Sequence, residues 1–360
     1  MKTFLFLAGM TLMSSLAHAV LIDEPWRNIS DPAIMNPAFL KNFYTLPLEA
    51  RATGENKFWS GDYWALEKGN INLRWNSNRQ RGFKLDSPTR DQALRMSSKD
   101  ISQLAPTEKL DILMGRYDYP TVQKVYTIAN KRADEWEGIC HGWAPASINH
   151  NEPTPKDFVN ADGIKVPFGS SDIKALVSFY YAHGFEALNT HQMGSRCFKE
   201  DSDIFRSRRD RQDNCEQDLN AGAFHIVLAN RIGLEGKAFV ADLDRKDEVW
   251  NHPVWFYSSQ VEKDNMKPDR RSAPGTAKVI RMRTTINYTN ETYNYWEPVI
   301  GTPDQIVDKK KYEYELDLSA TGEILGGKWK SAERPDFLWI KDRPVQFEGL
   351  FTRLPELLND

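Results

Sequence analysis

Cys140 and His225, followed by Asp242 and Asp244, are the residues of this chain whose types and spacing could do chemistry together. A thiol is a nucleophile only as thiolate, and a free cysteine has a pKa of about 8.5, so a base or a helix N-terminus must lower it. Histidine is the usual base, and a carboxylate then fixes its tautomer. The stretch around His225, FHIVLANRI, reads as a strand. The stretch KAFVADLD after it reads as a second strand, with a short turn near Gly233–Gly236 between them. In such a hairpin paired residues have a constant index sum. A sum of 467 sets His225 opposite Asp242, and a sum of 469 sets it opposite Asp244. Either register predicts a carboxylate beside the imidazole on one sheet face. Asp242 lies inside the apolar run AFVADL and is expected to be the more buried, whereas Asp244 opens the charged stretch DRKDE.

The cysteine count points the same way. The chain has three: Cys140, Cys197 and Cys215. In an oxidising compartment two are expected to pair, and Cys197 and Cys215 flank one charge-rich loop. That leaves Cys140 as the odd thiol, either inert or kept for chemistry. His141, His150, His183, His191 and His252 compete with His225 as base, and His252 is the second choice. The chain contains no GxSxG, P-loop, HExxH or CxxC pattern, so serine-hydrolase, nucleotide and zinc chemistry lack support. Trp136, Trp143 and Trp64 are candidate walls of a substrate channel, or simply core.

Several elements must position these groups. Val122, Val125, Ile128 and Ala129 have helical spacing in a segment ending at Gly138. Cys140 either opens an irregular helix, with Pro145 inside it, or sits in the loop just before one. A further helix is expected over 171–183, with Ile173, Leu176, Val177 and Tyr180 as its stripe and Gly184 as its stop. After 277 the runs KVIRMRTTINY, YNYWEPVI and KYEYELDLSATGEILGGKW read as strands, with turns at Gly322 and Gly326–Gly327. Helices come first and antiparallel strands later, which is an α+β class. The expected organisation is a signal peptide (1–19), an N-terminal wrapping segment (20–110), a catalytic core (111–261) and a strand-rich C-terminal region (276–360) packed on the core. Its internal boundary is the polar loop 262–275.

Lys2, the apolar run from Phe4 to Leu16 and the Ala17-His18-Ala19 site read as an export signal cut near Ala19, so a secreted or periplasmic protein is expected, without stable membrane insertion. The net charge of −3 gives no bulk affinity for nucleic acid. The arginines at 206, 208, 209 and 211 alternate with aspartates and read as a solvated loop.

Four segments carry a family resemblance: GICHGWAPAS (138–147), FGSSDIKALVSFYYA (168–182), DLNAGAFHIVLAN (218–230) and EVWNHPV (248–254). Together they resemble the elicitor-type transglutaminases of oomycete plant pathogens and some marine bacteria. The last is close to the surface peptide that plants recognise in oomycete members, but His252 stands where Gln is expected, and Trp255-Phe256 where Arg-Gly is expected. The resemblance implies a papain/transglutaminase-like core, with a cysteine-bearing helix packed on an antiparallel sheet that carries His and Asp. It implies a protein-glutamine γ-glutamyltransferase with Cys140 as nucleophile, His225 as base and Asp242 as orienter, acting on proteins or peptides that bear Gln and Lys. No cofactor is required by the sequence. The resemblance suggests calcium, and without an EF-hand loop no metal ligands are assigned. The alternatives are a cysteine peptidase or glutamine deamidase using the same triad, and an inactive secreted elicitor or binding protein.

Overall fold

A computed structural model describes residues 26, 28–184, 190–196, 219–246, 248–341, 343 and 346–359. The export signal, Cys197, Cys215 and the arginine cluster lie outside the described residues. Among the described residues the centre of the molecule is one antiparallel sheet. Its strands are β1 (Glu49–Arg51), β4 (Thr190–Gly194), β5 (Phe239–Asp242), β6 (Asn251–Met266), β7 (Lys278–Thr289), β8 (Val307–Leu318), β9 (Ile324–Trp329) and β10 (Phe337–Lys341). The order is β4-β10-β5-β6-β7-β8-β9, with β1 added on β6. A separate hairpin pairs β2 (Lys156–Val159) with β3 (Lys165–Phe168). The architecture is mixed helix and antiparallel sheet.

Strand alternation sends successive side chains to opposite faces of the sheet. Val240, Phe337 and Trp339 join one apolar cluster with Cys140, Trp143 and the 170–179 helix. Phe239, Ala241 and Leu338 join a second cluster with Phe224, Tyr314 and Val254. The N-terminal segment has few regular elements and serves both clusters: Met35, Phe39 and Phe43 enter the second, and Trp59, Trp64 and Trp75 the first. The polar loop after residue 261 is not a break between units. β6 runs on to Met266 and pairs with β7, with register shifts at Val254/Phe256, Val261/Lys263 and Lys263/Met266, so the strands on either side belong to one sheet.

Four expectations are corrected. Residues 221–234 form no strand. Ala221–Val227 is an α-helix, continued by a wider turn over Leu228–Leu234. Asn220 caps it by accepting the Gly222 N–H at 2.8 Å. The run is buried at almost every position, so its apolar pattern carries no period that separates helix from strand. Gly326–Gly327 is likewise no turn but lies inside β9. A Cβ on Gly222 would come within 2.5 Å of the Gly326 carbonyl, and one on Gly327 within 2.6 Å of Gly222 N, so the glycines let this helix lie flush on the strand. YNYWEPVI (293–300) forms no strand, and the helix expected up to Gly138 stops at Tyr126. The helix over Ser170–Phe179 is present and widens into a π turn at Tyr180–Gly184.

Candidate active site

Cys140 is the first residue of the helix Cys140–Asn149. The geometry just before it is forced. A Cβ on Gly138 would come within 2.4 Å of the Tyr63 carbonyl, so only glycine fits there. Ile139 then donates its N–H to the same carbonyl at 2.6 Å, and its own carbonyl accepts from Gly142 and Trp143. Gly142 faces the neighbouring 170–179 helix so closely that a Cβ would come within 2.1 Å of the Ser178 carbonyl. Pro145 sits inside the helix and is tolerated.

Cys140 is 4% exposed and forms no disulfide. Its hydrogen-bond partners are the Val249 carbonyl, to which it donates at 3.7 Å, and Asn251 Nδ2, which donates to it at 3.6 Å. Asn251 is fixed in turn by the Trp339 indole N–H, which donates to Oδ1 at 2.8 Å. Burial pushes the thiol up to about 11. Donors from Asn251 act against this, and the charges of Glu291 and Asp242 add to it. At neutral pH the resting group is a thiol.

Asp242 is paired in register with Asn251 across β5 and β6, and alternation puts its side chain on the Val240 face, the side of Cys140. It is 2% exposed, and its Oδ2 has no hydrogen-bond partner. Burial pushes this carboxyl up to about 8, with the charges of Asp336 and Asp244 adding to the rise. Asp244 is partly exposed, bonded to Lys310 at 3.0 Å, and held below the ordinary carboxylate range.

His225 stands elsewhere. It projects from the 221–227 helix into the second cluster, where Nδ1 lies 2.8 Å from the Tyr314 hydroxyl and the ring packs beside Phe43. The contact continues through Tyr314 to Thr284 at 2.6 Å and on to Ser259 at 2.7 Å, a buried polar chain. Nε2 has no partner, and burial pulls the imidazole down to about 4. The structure therefore brings Cys140 and Asp242 to one face and does not bring His225 to either. The expected hairpin between His225 and Asp242 fails because 221–234 is helical. His252 also points away: it pairs with Ala241, and its Nδ1 lies 3.3 Å from the Thr289 carbonyl. His141 packs edge-on against His183, with ring centroids 5.7 Å apart.

Of the three tryptophans, Trp143 and Trp64 are core residues, 0% and 2% exposed, so neither lines a solvent-open path. Trp143 donates to the Trp59 carbonyl at 3.2 Å. Trp136 is half-buried with the Arg196 guanidinium over its ring. Tyr63, whose carbonyl accepts the Ile139 N–H, meets the ring of Trp250 edge to face at 5.2 Å. Sequence reasoning missed Asn251, although it lies inside the singled-out EVWNHPV segment. That segment is at the surface only in its first half: Glu248 is exposed and Val249 and Trp250 partly so, whereas Asn251, His252, Pro253 and Val254 are buried at the start of β6.

Comparison with known proteins agrees with this geometry at the level of family and fold. The transglutaminase elicitor family model matches residues 123–348. The chain belongs to that family. The crystal structure of the GP42 transglutaminase from Phytophthora sojae superposes with a TM-score of 0.66 at 21% identity, covering 92% of this chain and 97% of that one, which shows a shared fold. A search of curated proteins finds no match. Among the described residues no helix is long and apolar enough to cross a membrane. Among the described residues no group of three or more His, Cys, Asp or Glu side chains comes together that could hold a metal ion.

Proposed function

We propose that this chain is an exported protein-glutamine γ-glutamyltransferase working through Cys140. The observation that carries the reading is an unpaired thiol at a helix start, held by Asn251 and flanked by a buried carboxyl with a raised proton affinity. A proton carrier works best when its pKa lies near the working pH, and about 8 suits a group that must take a proton and return it.

Asp242, as carboxylate, accepts the Cys140 proton while the sulfur attacks the glutamine carboxamide carbon. The oxyanion is met by the N–H groups of Cys140 and His141 at the helix start, where first-turn donors have no intrahelical partner. The C–N bond breaks, Asp242 returns its proton to the leaving nitrogen, and ammonia departs. A primary amine then attacks the thioester carbon and expels the sulfur, which recovers a proton through Asp242. Asn251 positions the sulfur and Trp339 positions Asn251. In this reading His225 supports the fold and Asp242 takes the role of base.

Incorporation of a fluorescent alkylamine into a glutamine-bearing protein tests the reading. Ammonia release without incorporation turns it into a deamidase, and cleavage of the peptide chain into a peptidase. The burial of the sulfur favours a second reading, a secreted binding protein whose thiol stays idle; absence of all three activities in folded protein would establish it.

A further inference from the structure

A basic loop in the N-terminal segment has no part in the chemistry above. The stretch RWNSNRQRGFK (74–84) carries four basic residues and no acidic one, in a chain whose net charge is −3. Its ends are tied together. The Arg74 N–H donates to the Arg81 carbonyl at 2.9 Å, and Gln80 Nε2 donates to the Trp75 carbonyl at 3.0 Å. Gly82 lies so close to the 66–68 turn that a Cβ there would come within 2.1 Å of the Lys68 carbonyl. The closed loop borders a cavity of about 320 Å³, lined by Arg74, Ser77, Asn78, Arg79, Arg81 and Gln103. Among the described residues no carboxylate and no apolar or aromatic side chain lines it.

The three guanidiniums differ in how much of their hydrogen-bonding capacity the protein uses. Arg74 is fixed. Its Nε and Nη2 donate to the two oxygens of Glu108 at 2.8 and 2.6 Å. Glu108 is itself fully buried and also accepts from Ser87 and the Ala105 N–H. These bonds leave Arg74 Nη1 without a partner among the described residues. Arg81 commits one nitrogen, Nη2, to Asp86 at 3.0 Å. Arg79 is exposed, and its side chain makes no hydrogen bond or ion pair among the described residues. The side-chain amides of Asn78 and Gln103 are likewise uncommitted there, and Ser77 Oγ accepts from the Arg79 N–H at 3.3 Å. The lining is therefore rich in N–H donors and poor in acceptors. Arginine presents five donors in a planar fork and no acceptor, which matches the oxygens of a carboxylate, sulfate or phosphate. The amides and the hydroxyl both donate and accept, as alcohol groups do. Without an aromatic ring the cavity lacks the platform on which a nucleobase stacks. Without an apolar wall it offers nothing to a lipid tail or to the apolar anchor of a peptide.

We infer that this cavity binds an acidic sugar unit of a saccharide. Arg79 and Arg81, beside the fixed Arg74, take the acid group, and Ser77, Asn78 and Gln103 take the ring hydroxyls. Carboxylated and sulfated sugars share this chemistry. The volume is at the small end of ligand pockets, which suits a single ring rather than a long chain segment. Arg74 is already held by Glu108, so this part of the site is ordered before the ligand arrives. None of the lining residues belongs to the site around Cys140, so the inference does not rest on the transferase reading.

Isothermal titration calorimetry on the full chain at fixed ionic strength tests this. The probes are trigalacturonate, a heparin disaccharide, neutral maltotriose, tetraglutamate and inorganic phosphate. At least one acidic saccharide should bind at least about tenfold more tightly than tetraglutamate or phosphate, and maltotriose should not bind measurably. Trigalacturonate ahead assigns a carboxylated sugar, and the heparin disaccharide ahead a sulfated one. Arg79→Gln should weaken that binding at least about tenfold. The Arg79 side chain holds nothing in the protein, so the variant should fold as the wild type does. Asn78→Ala, which removes no charge, should weaken the saccharide and leave phosphate unchanged. Saccharide binding that is unchanged in folded Arg79→Gln overturns the site. Tetraglutamate or phosphate bound as tightly as the saccharides also overturns it, because the loop then reads charge alone. Absence of binding by both acidic saccharides does the same.

Discussion

Replacing Asp242 by Asn should make the protein more stable and less active, and the stability gain should appear only at higher pH. The Asp242 carboxyl sits at about 8 in the folded protein against an ordinary 3.8. Between those values the folded state keeps a proton that the unfolded chain releases, so this group makes stability fall as pH rises through about 4 to 8. At about 1.4 kcal/mol per tenfold change in proton affinity the ceiling is roughly 6 kcal/mol, and relaxation and water entry reduce it to about 2–3 kcal/mol. Asn has the same shape and does not ionise. Urea unfolding followed by tryptophan fluorescence should give nearly equal stabilities for Asp242→Asn and wild type at pH 4. At pH 8 the variant should be ahead by about 2 kcal/mol or more. Glu291, His225 and His252 titrate in both proteins and cancel in the difference. Turnover should fall about a hundredfold or more, the usual range for losing a proton carrier. A variant that is destabilised at pH 8, or whose advantage does not depend on pH, would refute the assignment of a strained, function-bearing carboxyl.

Further outcomes follow from the same geometry. His225→Phe breaks the bond to Tyr314 but leaves Tyr314 on Thr284, so it should cost about 1–2 kcal/mol of stability and leave turnover within a few fold; a loss of several orders of magnitude in folded protein would return the base role to His225. Asn251→Ala removes the donor on the sulfur and strands the Trp339 N–H, and steady-state kinetics should show kcat reduced at least about tenfold. Gly142→Ala drives a methyl into the Ser178 carbonyl and should destabilise by about 3 kcal/mol in the same urea assay. Below about pH 6.5 the stability deficit of His225→Phe against wild type should shrink in the same urea assay, because His225 is held neutral at about 4 in the folded wild type while the unfolded wild-type chain takes up a proton there that the variant cannot.

The sheet was the most legible part of the sequence. KVIRMRTTINY and KYEYELDL are rich in β-branched and aromatic residues that partly alternate with polar ones, and they became β7 and β8. The segment 221–234 was not legible in the same way. A helix buried all round loses its polar stripe, and β-branched residues such as Ile226 and Val227 then suggest a strand. The helical start at Cys140 was one of two readings of a proline-containing stretch, decided here by the Ile139 carbonyl, which takes both Gly142 and Trp143. Asp242 was expected to be buried because of its apolar neighbours, and its neighbour in the sheet proved to be Asn251, a pairing set by strand register that no local pattern reveals.

The central claim is that Cys140 carries the acyl group. Acid-quenched incubation with a glutamine peptide and no amine, followed by mass mapping, should find the peptide attached to Cys140 with the loss of one ammonia. Dansylcadaverine should discharge that adduct into amide product. Folded protein that turns over the peptide with no adduct on Cys140, or with the adduct on another residue, would contradict the account.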